Sequence, residues 1–167
     1  MKFRIVFRLF MPLCLLLPAV ISAQTKEDKK KAQYEELKAH IDARQYTFNA
    51  QSATSMGGRT RQLSSLYTLK IHQDSLDADL PYFGRAYSAP LDNSNGGIHF
   101  RSVSFGYEQT SSKQGGWVIR ITPAGERSAS NMQMTISSTG YATLQVNSND
   151  RQMISFYGRV SGNSKKK

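Results

Sequence analysis

The sequence has very little cysteine. Its only one, Cys14, lies in an apolar segment near the N-terminus. Without a second cysteine the chain forms no internal disulfide, and everything beyond this segment has no thiolate nucleophile or thiolate metal ligand. We therefore expect the folded part to be held together by a hydrophobic core.

Acidic residues are also scarce, with 12 Asp and Glu against 22 Lys and Arg. A hydrolase that works with two carboxylates needs a pair facing each other across a cleft. In the second half of the chain the candidates are Glu108, Glu126 and Asp150, all of which fall near predicted loops. The sequence therefore does not single out a catalytic pair.

Residues 1–23 have the pattern of a secretory signal peptide, with three cations (Lys2, Arg4 and Arg8) ahead of the uncharged stretch 10–21. This stretch is shorter than the ~20 residues of a membrane span. We predict cleavage after Ala23 and export to the periplasm, the outer envelope or the medium, with no transmembrane span left afterwards. Much of the basic excess lies in this leader and at residues 165–167, so nucleic acid is not a predicted partner.

Residues 24–44 are predicted to form an N-terminal helix. Thr25 is a suitable N-cap, and Asp28 lies in the first turn, where a negative charge is favourable. Tyr34, Leu37 and Ile41 recur at helical spacing and form one narrow apolar stripe. This pattern predicts a helix lying against the edge or mouth of a sheet.

Residues 45–162 are predicted to form a β domain, because apolar and polar residues alternate from Tyr46 onward. We predict a mainly β fold: a single curled antiparallel meander of about eight strands, barrel-like or half-barrel, with one N-terminal helix. In the stretch 98–107 the alternation slips, which suggests a β-bulge near Arg101 and Ser102. Residues 163–167 are predicted to be a basic disordered tail.

The densest aromatic cluster reads Leu-Pro-Tyr-Phe-Gly-Arg-Ala-Tyr at residues 80–87. Two interpretations are open. In the first, the rings plug the core and Arg85 is partly buried against backbone carbonyls, Asp77 or Asp79; in the second, the stretch is an exposed recognition loop. We favour the plug because so many exposed rings are costly. The candidate binding or structural residues are Tyr82, Phe83, Gly84, Arg85 and Tyr87.

The same motif, followed by Gly-Gly-Ile-His-Phe at residues 96–100, resembles the bacterial domain-of-unknown-function 4251 family. The resemblance extends over roughly residues 32–162. It implies an exported bacterial protein from a family without an assigned activity, and it supplies no catalytic residues.

The histidines carry no metal signature, although His72 and His99 fall on polar faces of predicted strands and would meet if those strands paired. We predict no metal and no cofactor, since nucleotide-binding and nucleophile motifs are missing from the sequence. The predicted function is a non-catalytic binding or structural module for an unknown ligand or envelope component. The alternative is a hydrolase on the same β scaffold with unidentified catalytic groups.

Overall fold

The computed structural model describes residues 26–87, 96–112, 115–126 and 129–163. The predicted signal peptide, the N-cap Thr25 and residues 164–167 lie outside these ranges. Within them the chain forms one helix and nine strands: α1 (Lys26–Asp42), β1 (Tyr46–Ser55), β2 (Thr60–Ile71), β3 (Leu76–Leu80), β4 (Ile98–Ser102), β5 (Phe105–Ser111), β6 (Trp117–Pro123), β7 (Asn131–Ile136), β8 (Tyr141–Asn147) and β9 (Ile154–Gly162).

The nine strands form a single sheet in the order β4-β3-β2-β1-β9-β8-β7-β6-β5. Every neighbouring pair is antiparallel, and consecutive strands are neighbours everywhere except between β4 and β5. Pairing of β1 with β9 joins the two halves of the chain into a nearly closed, barrel-like sheet. The prediction of a mainly β, curled antiparallel fold with one N-terminal helix is confirmed.

The two outermost strands, β4 and β5, are joined by only two residues, Val103 and Ser104. Eight antiparallel steps separate them in the sheet, so they run in the same direction. The chain therefore continues along one line but changes partner, since β4 pairs with β3 and β5 pairs with β6. The prediction of a β-bulge near Arg101 and Ser102 is wrong, because the chain leaves one strand and begins another there. The slip in alternation marks a strand break one or two residues further on.

Inward-facing side chains fill the barrel, as the alternation predicts. The backbones of β9 and β1 approach closely at Gly158. A Cβ atom added at Gly158 would lie 2.0 Å from the Asn49 carbonyl oxygen, so only glycine fits there. The register of β1 shifts between Ala50 and Ser52 at this point, which bends the strand. The largest fully buried side chains are Tyr46, Phe48, Phe156, Ile41, Leu69, Ile71, Leu76, Leu80, Ile98, Ile119, Ile121 and Met132.

The helix covers the end of the barrel where β1 begins and β9 ends, which we call the helix end. Leu37 and Ile41 are buried, and the Tyr34 ring stacks on Trp117 at the start of β6, with 5.3 Å between ring centres. The helix ends at Asp42, and Arg44, two residues later, has a left-handed φ of 52°. The Gln45 N–H then bonds the His40 carbonyl at 2.9 Å, and the Arg44 N–H bonds that of Ile41 at 3.0 Å, which is a Schellman ending.

No helix among the residues described has both the length and the apolar character needed to cross a membrane.

Candidate functional site

Residues 81–87, which we call the motif loop, follow β3 at the opposite end of the barrel, the motif end. The loop lies antiparallel to the segment that precedes β9. Ala86 and Arg151 form an isolated β-bridge. On either side of it, the Tyr87 N–H bonds the Asp150 carbonyl at 2.7 Å and the Gln152 N–H bonds the Arg85 carbonyl at 3.0 Å. The backbone of the loop is therefore tied to the barrel.

Tyr82 folds back over its own loop. Its hydroxyl oxygen lies 2.9 Å from the Arg85 carbonyl and 2.9 Å from the Gln152 carbonyl, so its one proton is shared between two acceptors. Burial raises the pKa of Tyr82. A Cβ at Gly84 would come within 2.4 Å of this hydroxyl, so glycine is the residue that leaves room for the ring. Pro81, which directly precedes Tyr82, is buried.

Arg151 is the buried cation at this end. Its side chain is only 6% exposed, and its guanidinium lies 5.0 Å from the centre of the Tyr82 ring. It donates hydrogen bonds to the carbonyls of Gly96 at 2.7 Å and Gly97 at 3.1 Å, and two more to the Asp150 carboxylate at 3.0 and 3.2 Å. The hydrogen bond from Arg151 is the main cause that lowers the pKa of Asp150; the Ser148 hydroxyl adds to it.

Arg85 itself is exposed, so the prediction that it is partly buried is wrong. Only its backbone carbonyl contributes to the anchoring, and Arg151 supplies the buried guanidinium instead. Tyr87 is 69% exposed. Phe83 is half-buried beneath the Arg61 guanidinium, which lies 4.8 Å from its ring centre. The five candidate residues do lie together, but Tyr82, Phe83 and Gly84 anchor the loop while Arg85 and Tyr87 face outward.

His72 and His99 do not come together in the structure. His99 on β4 faces Asp79 on β3, with 2.8 Å between Nδ1 and Oδ1. His72 follows β2, and its Nδ1 lies 3.3 Å from the Asn163 amide nitrogen. Since β3 separates β2 from β4, the two imidazoles belong to different contacts. Within the part of the chain that the structure describes, no three His, Cys, Asp or Glu residues are grouped so as to hold a metal ion.

Glu108, Asp42 and Asp150 each pair with a basic residue. Glu108 lies 3.3 Å from Arg120 on the outer surface, far along the sheet from Asp150 at the motif end. Asp42 bonds Lys38 and Gln109, and these two hydrogen bonds lower the pKa of its carboxyl. A general acid requires a raised carboxyl pKa, whereas the pKa values of Asp42 and Asp150 move the other way.

Sequence reasoning did not find a cavity of about 270 Å³ on the outer face of β7, β8 and β9, near the helix end. Tyr141 and Tyr157 line it with rings that are 42% and 47% exposed. A signal was present, because both tyrosines occupy polar-face positions of alternating strands, where an aromatic residue has no core to fill. A second cavity, of about 190 Å³, lies between α1 and the β8–β9 side of the sheet.

A family model described as Domain of unknown function (DUF4251) matches residues 28–160. A crystal structure of a DUF4251 family protein from Bacteroides eggerthii DSM 20697 is similar in fold, with a TM-score of 0.56 and 15% identity over 78% of this chain and 88% of that one. No curated protein matches the sequence. The chain thus belongs to the DUF4251 family, as the resemblance of its motif predicted.

Proposed function

We propose that this protein is exported and acts as a non-catalytic binding module, with Arg85 and Tyr87 as its recognition residues. One observation carries the proposal. The motif loop is anchored by its backbone, by Tyr82 and by Arg151, yet it exposes the Arg85 and Tyr87 side chains.

A loop held in this way supports recognition for an energetic reason. Binding costs free energy when it orders mobile groups, and an anchored loop has already met most of that cost. Tyrosine and arginine are also enriched among residues that dominate binding energy. Exposed Arg59 and Arg61, on the neighbouring hairpin, add positive charge at the same end of the barrel. The chemistry favours a partner that carries acidic groups.

The proposal is tested by site-specific photo-crosslinking in the cells that make the protein. A photoreactive phenylalanine analogue replaces Tyr87 in one variant and Val103, which is 78% exposed but lies outside the loop, in a control. We expect a discrete adduct from position 87 and not from position 103. Adding Arg85→Ala to the first variant should reduce the adduct. Equal adducts from both positions, or one unaffected by Arg85→Ala, would contradict the assignment of the loop.

Export is tested separately, because it rests on the leader alone. The pattern of residues 1–23 supports cleavage after Ala23. N-terminal sequencing of protein from an exporting bacterial host should read from Gln24. Recovery of a chain that still begins at Met1 and sediments with the inner membrane would refute export, whatever the crosslinking shows.

A further inference from the structure

None of the described residues that line the cavity on the outer face of β7, β8 and β9, the outer cavity, is charged. Its lining combines two tyrosines with serine and threonine side chains and a short apolar floor: Ser112, Gly116, Thr135, Ile136, Ser137, Ser138, Tyr141, Ala142, Thr143 and Tyr157. Its volume of about 270 Å³ is just below the ~300–1,000 Å³ typical of small-molecule pockets. A ligand of one or two rings fits that size.

Two tyrosine rings form one wall of the outer cavity. The Tyr141 and Tyr157 ring centres are 5.9 Å apart and their planes differ by only 8°. The Arg159 guanidinium lies 5.0 Å from the Tyr141 ring centre, so this ring contacts both Tyr157 and Arg159. These contacts follow from the register of β8 and β9, in which Tyr141 pairs with Arg159 and Thr143 pairs with Tyr157. The wall is therefore held in place before any ligand arrives.

Hydroxyl groups cover the adjacent surface. Thr135, Thr143 and Tyr157 form one straight row across three strands, because each is the register partner of the next. Among the described residues, the hydroxyls of Thr135, Thr143 and Ser138 make no hydrogen bond to one another or to other protein groups. Threonine is stiff about χ1, so the row presents its hydroxyls in few arrangements. Each hydroxyl both donates and accepts.

We propose that the outer cavity is a binding site for neutral carbohydrate. A pyranose ring has an apolar C–H face, which suits a tyrosine face, and a rim of hydroxyls, which suits the threonine and serine row. A phosphorylated or carboxylated ligand would call for a cation in the lining, and an amine for a carboxylate; the lining residues that the structure describes supply neither. This site is distant from the motif loop and does not depend on the function proposed for it.

The test is an NMR titration of the mature protein with glucose, galactose, mannose, xylose and N-acetylglucosamine, each to high concentration. At least one sugar should shift the backbone amide signals of Thr135, Thr143 and Tyr157 while leaving those of the motif loop unchanged. Glucose 6-phosphate is the charged comparison and should bind no better than glucose.

Three variants make the test specific. Tyr157→Ala should weaken binding at least about fivefold, since an aromatic contact is lost, whereas Tyr157→Phe should retain most of it. Val103→Ala, at a position that is 78% exposed and outside the cavity lining, should have no effect. Shifts that are missing for all five sugars, that spread over the whole surface, or that persist at full strength in Tyr157→Ala would each overturn the proposal.

Discussion

The Arg151 guanidinium lies 5.0 Å from the Tyr82 ring centre and also bonds the carbonyls of Gly96 and Gly97. The two parts of the sequence that carry the family resemblance, residues 80–87 and 96–100, therefore meet at a single residue that belongs to neither. Tyr82 bonds the Gln152 carbonyl in return. Three segments of the chain therefore hold one another in place at the motif end: the motif loop, residues 96–97 and residues 150–152. We call this arrangement the clasp.

The first prediction is that Arg151→Ala destabilises the protein by about 2–4 kcal/mol, since it removes the guanidinium that bonds the Gly96 and Gly97 carbonyls and the Asp150 carboxylate. Arg151→Lys should recover only part of this loss, because one ammonium does not reproduce the planar fork of donors. Chemical denaturation of the three proteins measures the free energies of unfolding. An Arg151→Ala variant within ~0.5 kcal/mol of wild type would show that the clasp contributes little.

The second prediction concerns the other arginine of this region. Arg85→Ala should change the free energy of unfolding by less than ~0.5 kcal/mol, because the side chain is exposed. It is a matched control for Arg151→Ala, because both variants replace an arginine by alanine at the same end of the barrel. A loss above ~2 kcal/mol would restore the interpretation of Arg85 as a buried plug residue and weaken the proposed recognition role.

The exchange of roles between Arg85 and Arg151 shows where sequence reasoning stops. The aromatic density of residues 80–87 was sufficient to locate the clasp, because rings of that number must find partners. It did not indicate which arginine is buried. That depends on the pairing of the loop with residues 150–152, a contact across more than half of the β domain. Period-2 patterns report the two faces of a strand but not its long-range partners.

Strand β3 is difficult to predict from the sequence for a different reason. Leu76, Ala78 and Leu80 alternate inward with Asp77 and Asp79 between them, which is a strand pattern. Aspartates are also typical of turns, and β3 is only five residues long. In the structure the Asp79 carboxylate pairs with the His99 imidazole on the neighbouring strand β4. Apolar periodicity was the better guide here, since an acid on a solvated strand face costs little.

The third prediction tests closure of the barrel. Gly158→Ala should destabilise the protein by about 2 kcal/mol or more, because the new methyl would lie 2.0 Å from the Asn49 carbonyl and force β1 and β9 apart. Gly106→Ala is the control, since a Cβ there would meet its nearest atom at 3.6 Å. Thermal unfolding of both variants is the measurement. Equal melting temperatures would mean that β1 and β9 can move apart to accommodate the methyl group at little cost in stability.

The fourth prediction follows from Asp150. Its pKa is lowered from 3.8 in the folded protein, chiefly by the hydrogen bond from Arg151 and against the opposing effect of burial. A depressed pKa means that the ionised carboxylate stabilises the fold above the unfolded-state pKa, and that this contribution is lost as the pH falls through the folded-state value. Asp150→Asn should therefore be less stable than wild type at neutral pH, and the gap should narrow below about pH 4.

Urea denaturation of wild type and Asp150→Asn from neutral pH to about pH 3 measures that gap. Glu108→Gln is the control, because the Glu108–Arg120 pair is exposed on both sides and such pairs contribute little. Its free energy of unfolding should stay close to that of wild type throughout. A gap between wild type and Asp150→Asn that is independent of pH would show that the amide change acts through packing. In that case the Asp150 charge would have no part in holding Arg151 beneath the motif loop.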